Sequence, residues 1–205
     1  MKIIAVSRRR RQLYLLTIEG GDDTEVDVRT FDESPYKEGS DITEEQLNTL
    51  LATSCYNRAR ERALYLLGLR DYACKELEHK LYTEASPEIA AAVVERLREV
   101  GLLDDERYAN RLARSLCEIK HYPRRRIEQE LRHRGISPVL AQAAVEELDG
   151  EDYAQALAIL EKKYYNKLND PDSRRRVIAA LARRGFSYGA IRRAMDEMGA
   201  PNDEE

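Results

Sequence analysis

"RRIEQELRHRGISPVLAQAAVEEL", residues 125–148, decides the fold. Ile127 and Leu131 stand one helical turn apart, so they share a face. The charged run ends at Gly135, a residue suited to the left-handed conformation that follows a helix C-terminus. Ser137 and Pro138 then supply an N-cap oxygen and a first helical residue whose missing N–H costs nothing. The segment therefore predicts a helix, a tight turn and a second helix.

The same order of signals returns in "KELEHKLYTEASPEIAAAVVERL" (75–97) and "RRVIAALARRGFSYGAIRRAMDEM" (175–198), a spacing of about 50 residues. Leu77, Ile127 and Val177 correspond, as do Leu81, Leu131 and Leu181. Ile89, Val93, Val94 and Leu97 match Leu140, Ala144, Val145 and Leu148, and then Ala190, Ala194, Met195 and Met198. A longer helix precedes each pair, at 56–69, about 105–119 and 152–168; in the last, Tyr153, Leu157, Leu160, Tyr164 and Leu168 fall on one side. The unit is three helices. Stacked units predict an all-α, elongated, curved array of tandem three-helix repeats, against the alternative of a compact nine-helix bundle.

The N-terminal end reads differently. "QLYLLTIEGGDDTEVDVRTF" (12–31) has two β-favourable runs around Gly-Gly-Asp-Asp, with Val26, Val28 and Thr30 alternating with charged residues. It predicts a small β-hairpin near 12–31, joined by a strand at 2–6. A Ser-, Pro- and Gly-bearing linker follows, then "TEEQLNTLL", where Thr43 and Gln46 form a capping box for a short helix. The expected division is 1–40 for the acidic hairpin region and linker, 41–105, 106–151 and 152–200 for the three repeats.

Composition agrees with helices. The 205 residues are 42% hydrophobic and 35% charged, with no Trp and two Phe, which suits narrow apolar stripes better than thick sheet layers. The three cysteines, Cys55, Cys74 and Cys117, have no disulfide or zinc spacing, so a reducing cytoplasm is expected. The opening "MKIIAVSRRRRQ" has too short an apolar core for a signal peptide, and no apolar run is long enough to span a membrane. A net charge of −4 hides local asymmetry. Residues 19–45 hold eleven acids against Arg29 and Lys37, whereas 107–134 hold nine bases against three acids and 174–193 hold seven Arg and no acid.

"GLLDDERYANRL" (101–112) raises the question of catalysis, because Asp104, Asp105 and Glu106 are adjacent. Gly101 ends one helix and Tyr108, Leu112, Leu116 and Ile119 mark the next. Asp104 or Asp105 is then an N-cap, and the other acids favour the positive end of the helix dipole. "LDGEDYA" (148–154) repeats the pattern at the next junction, which is joint chemistry rather than an active site. His79, His121 and His133 are not placed to complete a metal site. Cys117 and His121, four residues apart, lack a second pair and read as a buried thiol and a surface imidazole. No phosphate loop or nucleophile motif stands out, so neither catalytic nor metal nor cofactor residues are expected.

The arginines are more informative. Arg124, Arg125 and Arg126, and at the equivalent place Arg174, Arg175 and Arg176, are predicted in the first turn of a helix, where cations oppose the dipole. A charge run is usually a solvated face, but the same unfavourable choice at two equivalent positions points to a polyanion or acidic-protein partner. Tyr122, Arg132, His133, Arg134, Arg183, Arg184, Arg192 and Arg193 extend the candidate patch, with phosphates as the obvious ligand.

Residues 56–198 resemble the RecX family, bacterial regulators of the RecA recombinase. The likeness rests on "ARERALYLLGLRDYACKELEHKL", "VVERLREVGLLDDERYANRLARSL", "YPRRRIEQELRHRGIS" and "RRRVIAALARRGFSYGAIRRAMDE", with "GLLDDERYA" the most specific piece. The chain departs from the family pattern at Glu84-Ala85, where Lys-Gly is common, and at Ala73, where a capping Ser is usual. The acidic N-terminal portion is similar to extended versions that carry a β-hairpin ahead of the repeats. The resemblance implies no enzymatic activity and binding in the groove of the RecA filament on single-stranded DNA. That binding would limit ATP hydrolysis, strand exchange and coprotease function in DNA repair and the SOS response. The expected partners are the RecA filament and single-stranded DNA, for a monomer with no membrane association. The alternative is a stand-alone helix-turn-helix-like module that binds duplex DNA.

Overall fold

The computed structural model describes residues 1–10 and 12–199, in two compact units that divide between Leu103 and Asp104.

In the first unit, strands β1 (Ile3–Arg10), β2 (Leu13–Ile18) and β3 (Thr24–Asp27) form an antiparallel sheet in that order. Ile3 pairs with Ile18, Val6 with Leu16, and Leu16 also with Thr24. The expected hairpin and its third strand are present, but the second arm stops at Asp27 rather than running to 31. There the Asp27 carboxylate accepts from the Thr30 N–H (2.9 Å) and hydroxyl (3.0 Å). This N-cap turns residues 28–32 into helix α1 (Val28–Asp32). Val28 and Thr30 thus belong to a helix, since a buried capping carboxylate outweighs their β-propensity.

Helix α2 (Glu44–Leu69) carries the predicted capping box: Gln46 N–H donates to Thr43 Oγ1 and the Gln46 side chain accepts from Thr43 N–H. It is one continuous helix, not a short one followed by another at 56. No Gly or Pro interrupts 44–67, and its two halves serve two cores. Leu50 packs with Ile3, Leu16, Ile18, Val26, Phe31 and Ile42. Ala59, Ala63 and Leu66 pack with Leu77 and Leu81 of α3 (Cys74–Leu81) and with Val93, Val94 and Leu97 of α4 (Pro87–Glu99). Two hydrogen bonds hold α2 in place: Asp27 N–H at the end of β3 donates to Ser54 Oγ (2.7 Å), and Asn57 Nδ2 donates to Thr30 Oγ1 of α1 (3.0 Å).

The second unit holds two further three-helix repeats. Helices α5 (Asp105–Glu118), α6 (Arg124–His133) and α7 (Pro138–Glu146) form one. Helices α8 (Asp152–Ile159), α9 (Pro171–Arg183) and α10 (Tyr188–Glu197) form the other. The predicted helix at 152–168 is broken: after Ile159 the chain widens into a π turn (Leu160–Tyr164) and tightens into a 3-10 turn (Tyr165–Lys167). Leu160 and Leu168 are nonetheless buried.

The aligned positions do what the repeat implies. Leu77, Ile127 and Val177, and Leu81, Leu131 and Leu181, are all buried. Ser86, Ser137 and Ser187 each accept from the N–H three residues on. Gly135 and Gly185 both have positive φ, 87° and 101°. The repeat reading passed over Ala90, Ala141 and Ile191, which are fully or almost fully buried one residue beyond Ile89, Leu140 and Ala190. The two alanines carry little hydrophobic signal although small side chains permit close helix approach.

Candidate nucleic-acid interface

At the two acidic joints Asp104 and Asp152 accept backbone hydrogen bonds. Asp104 caps α5, accepting from Arg107 N–H at 2.9 Å. At the next joint the cap is not repeated: Glu151 makes no side-chain cap bond, and Asp152 instead accepts from Arg124 N–H at 2.9 Å. A carboxylate therefore sits at the N-terminus of α6 and offsets the dipole penalty of its arginines. Among the described residues no group of His, Cys, Asp and Glu is arranged to hold a metal ion. Burial holds the Cys117 thiol above its usual range.

The two arginine triplets occupy different places. Helix α6 begins at Arg124, as expected, but α9 begins at Pro171 under the Asp170 cap. Arg174 thus falls in the second turn, not the first. Asp170 accepts from Ser173 N–H at 2.8 Å, and hydrogen bonding by Ser173 keeps its carboxyl below the ordinary range.

The leading arginine of each triplet is committed to the fold. The Arg124 guanidinium donates to the carbonyls of Val145 (3.2 Å), Leu148 (2.5 Å) and Gly150 (2.8 Å), which satisfies the end of α7. Arg174 is 6% exposed and donates to Leu168 O at 3.2 Å. Arg125 and Arg176 are exposed, and Arg175 lies 3.9 Å from Asp172. Arg132 pairs with Glu128 at 3.0 Å, and Arg134 donates to the Tyr108 hydroxyl at 3.3 Å. Arg192 is exposed; Arg193 bridges to Glu151 and lies 3.6 Å over the Tyr153 ring.

Four of the predicted residues meet in one concavity of about 410 Å³. Arg126 comes from the first turn of α6 and Tyr122 from the loop just before it, Arg183 and Arg184 from the end of α9. Lys120, Lys162 and Lys163 join them, so six cations and no carboxylate line the groove, with Ile119, His121 and Ile159 as its remaining wall. The lysines were not read as candidates from the sequence. Lys162 and Lys163 reach the groove because the π turn carries them, and helical periodicity cannot foresee such a turn.

Local geometry explains the convergence. A Cβ on Gly185 would lie 3.5 Å from Arg126 Cβ and from Pro123 Cγ, so α6 starts directly against the turn between α9 and α10. Helix α5 ends through His121, whose N–H donates to Cys117 O (3.1 Å) and whose φ is +52°, the only positive value outside glycine among the described residues. The imidazole is half-buried rather than on the surface, with Nδ1 3.0 Å from Gln155 Oε1. Holding a non-glycine residue there costs about 1 kcal/mol or more. Next to it, Tyr122 lies 5.3 Å from the Arg126 guanidinium, which also donates to Glu130 at 3.0 Å. Clustered guanidinium and ammonium groups beside an aromatic ring suit phosphates and bases.

Family models match all three repeats: "RecX, first three-helix domain" at residues 59–97, "RecX, second three-helix domain" at 104–145, and "RecX, third three-helix domain" at 150–195. Among relatives, the regulatory protein RecX of Trichlorobacter lovleyi is 36% identical over 141 residues, covering 66% of this chain and 92% of its own length. That of Clostridioides difficile is 28% identical over 79% of this chain and 78% of its own. That of Streptococcus sanguinis is 25% identical over the whole chain and 80% of its own length. A solved structure titled "Crystal structure of regulatory protein RecX" covers 95% of this chain with a TM-score of 0.65 at 20% identity, and 98% of that structure's own chain is matched. The structure of RecX from Lactobacillus salivarius covers 72% of this chain and 98% of its own at 0.62.

Proposed function

The chain belongs to the RecX family of regulatory proteins, and from that premise we propose that it inhibits the RecA recombinase by binding in the groove of the RecA filament on single-stranded DNA. The observation that carries this reading is the concavity lined by Lys120, Arg126, Lys162, Lys163, Arg183 and Arg184 without a carboxylate. Six cations around one concavity, of which Arg126 is also paired with Glu130, favour a phosphate backbone or an acidic filament surface, and the interaction is expected to weaken steeply with salt. Tyr122 supplies a face on which a base or a guanidinium stacks.

In this reading the protein is a cytoplasmic monomer without enzymatic activity. It limits ATP hydrolysis, strand exchange and coprotease function by occupying the filament. Its contact residues are the groove arginines together with the exposed Arg125, Arg132, Arg175, Arg176, Arg192 and Arg193, whereas Arg124 and Arg174 position the helices that carry them. No helix among the described residues is long and apolar enough to cross a membrane.

The test is ATP hydrolysis by preformed RecA filaments on single-stranded DNA. The wild-type chain is expected to inhibit it, and the Lys162, Lys163, Arg183, Arg184→Ala variant to inhibit much less with unchanged helical circular dichroism. Absence of inhibition by excess wild-type protein would overturn the proposal. Sequence-selective binding to naked duplex without RecA would instead favour the stand-alone helix-turn-helix reading.

A further inference from the structure

The first unit carries a basic site of its own. The sequence has four successive arginines at 8–11, with no acid before Glu19. β1 ends at Arg10, and Arg8, Arg9 and Arg10 are exposed. None of these three enters the sheet core, and the groove of the second unit does not use them. Arg9 is paired with Glu25 at 2.9 Å. Arg10 stands opposite Leu13 in the register of the hairpin.

Arg10, Gln12 and Leu13 share a concavity of about 490 Å³ with Arg58, Glu61, Arg62 and Tyr65 of α2 and with Glu84. Positions 58, 61, 62 and 65 have the spacing of one helix face. Ser54 holds α2 against Asp27, which pairs with Leu13 beside the hairpin tip, and Asn57 holds it against α1. Of the two carboxylates, Glu84 is already engaged by Arg58 at 3.2 Å. Arg62 stands 5.4 Å from the Tyr65 ring, and that ring is 58% exposed.

We propose that Arg10, Arg62 and Tyr65 form a second nucleic-acid contact, which takes the phosphodiester backbone and an unstacked base of a single strand. Guanidinium groups fork onto phosphate oxygens. An exposed tyrosine beside them offers a stacking surface that a base can use only when it is not already stacked in a duplex. An acidic polypeptide would satisfy the arginines but leave the ring without a role. The site goes beyond the proposed filament inhibition, since it uses no residue of the groove.

The experiment is anisotropy titration of a short fluorescein-labelled oligothymidine with the full chain. Four forms are compared: wild type, the groove variant (Lys162, Lys163, Arg183, Arg184→Ala), the tip variant (Arg10→Ala, Arg62→Ala, Tyr65→Ala) and the two combined. The groove variant is expected to keep salt-sensitive binding that the combined variant weakens at least about tenfold. The tip variant alone should flatten the slope of log affinity against log salt by about 1.4, the value for two lost contacts on a single strand. In the groove background Tyr65→Phe should retain affinity and Tyr65→Ala lose about tenfold. Tyr65 and both arginines lie outside the core, so circular dichroism should not change.

Equal binding by the groove and combined variants overturns the proposal. So does displacement of the oligonucleotide from the groove variant by polyglutamate with Tyr65→Ala behaving as Tyr65, which would assign the site to an acidic protein. RecA ATPase inhibition, measured in parallel, reports on the groove alone, so the two readings fail separately.

Discussion

Arg124, Arg125 and Arg126 in the second repeat align with Arg174, Arg175 and Arg176 in the third, yet the two triplets enter their helices differently. Helix α6 starts at its triplet, under a carboxylate borrowed from Asp152 of the following repeat. Helix α9 starts three residues earlier, because Asp170 and Pro171 supply a cap and a preset first residue of their own. In both cases the first arginine turns back to satisfy carbonyls and only the later ones face solvent. The comparison teaches that a shared charge run reports a shared need near a helix start. Capping chemistry then decides which arginine becomes structural.

The sharpest way to break that comparison is to remove the leading residue. Arg124→Ala deletes a guanidinium that serves three carbonyls, and should cost about 3 kcal/mol in urea denaturation. Lys at this position should recover little, since the donors of one ammonium nitrogen cannot reach carbonyls that Arg124 serves from two separate nitrogens. Arg125→Ala and Arg176→Ala should stay within about 0.5 kcal/mol. Equal costs for all three would remove the distinction between structural and exposed arginines.

Next in size is Gly185→Ala, which places a side chain at φ +101°. We expect a loss of about 1–2 kcal/mol in thermal unfolding, with weaker oligonucleotide binding, because Arg126 and Pro123 pack on that turn. Unchanged binding in the folded variant would separate the turn from the groove.

Asp104→Ala tests the joint chemistry. It should cost about 1 kcal/mol as a lost N-cap and leave RecA inhibition intact once the protein is folded. Loss of function without loss of stability would return the acidic cluster to the functional residues.

The smallest effect concerns Asp170. Its carboxyl titrates below the ordinary range because Ser173 hydrogen-bonds the ionised form. The cap's contribution is therefore present above the usual carboxylate pKa and lost as pH falls through the lower folded value. Asp170→Asn should flatten this part of the acid-stability profile. A profile identical to wild type would mean that Asp170 does not set the start of α9.

Much of the fold was legible because the repeat is written in strong local signals. The pairs at 77/81, 127/131 and 177/181, the serine caps and the glycine turns all lie where periodicity put them, since each depends on neighbours within a few residues. The misses share a cause. Residues 28–31 left the strand for a helix because Asp27 caps them from a buried position. The helix at 44–69 fused because two distant cores bury its two halves. The helix after Asp152 widened at Leu160, which took Lys162 and Lys163 into a groove that no linear spacing announces.

By itself the sequence determined the three-helix repeats, the serine-capped helix starts at 86, 137 and 187 and the family likeness, because capping and amphipathic periodicity are local free energies. Only the tertiary structure decided which arginines are spent on carbonyls and which gather with Tyr122, Lys120, Lys162 and Lys163 around one groove. Hydrogen-bond satisfaction at a helix end and charge density on a surface are sums over residues that meet only after packing.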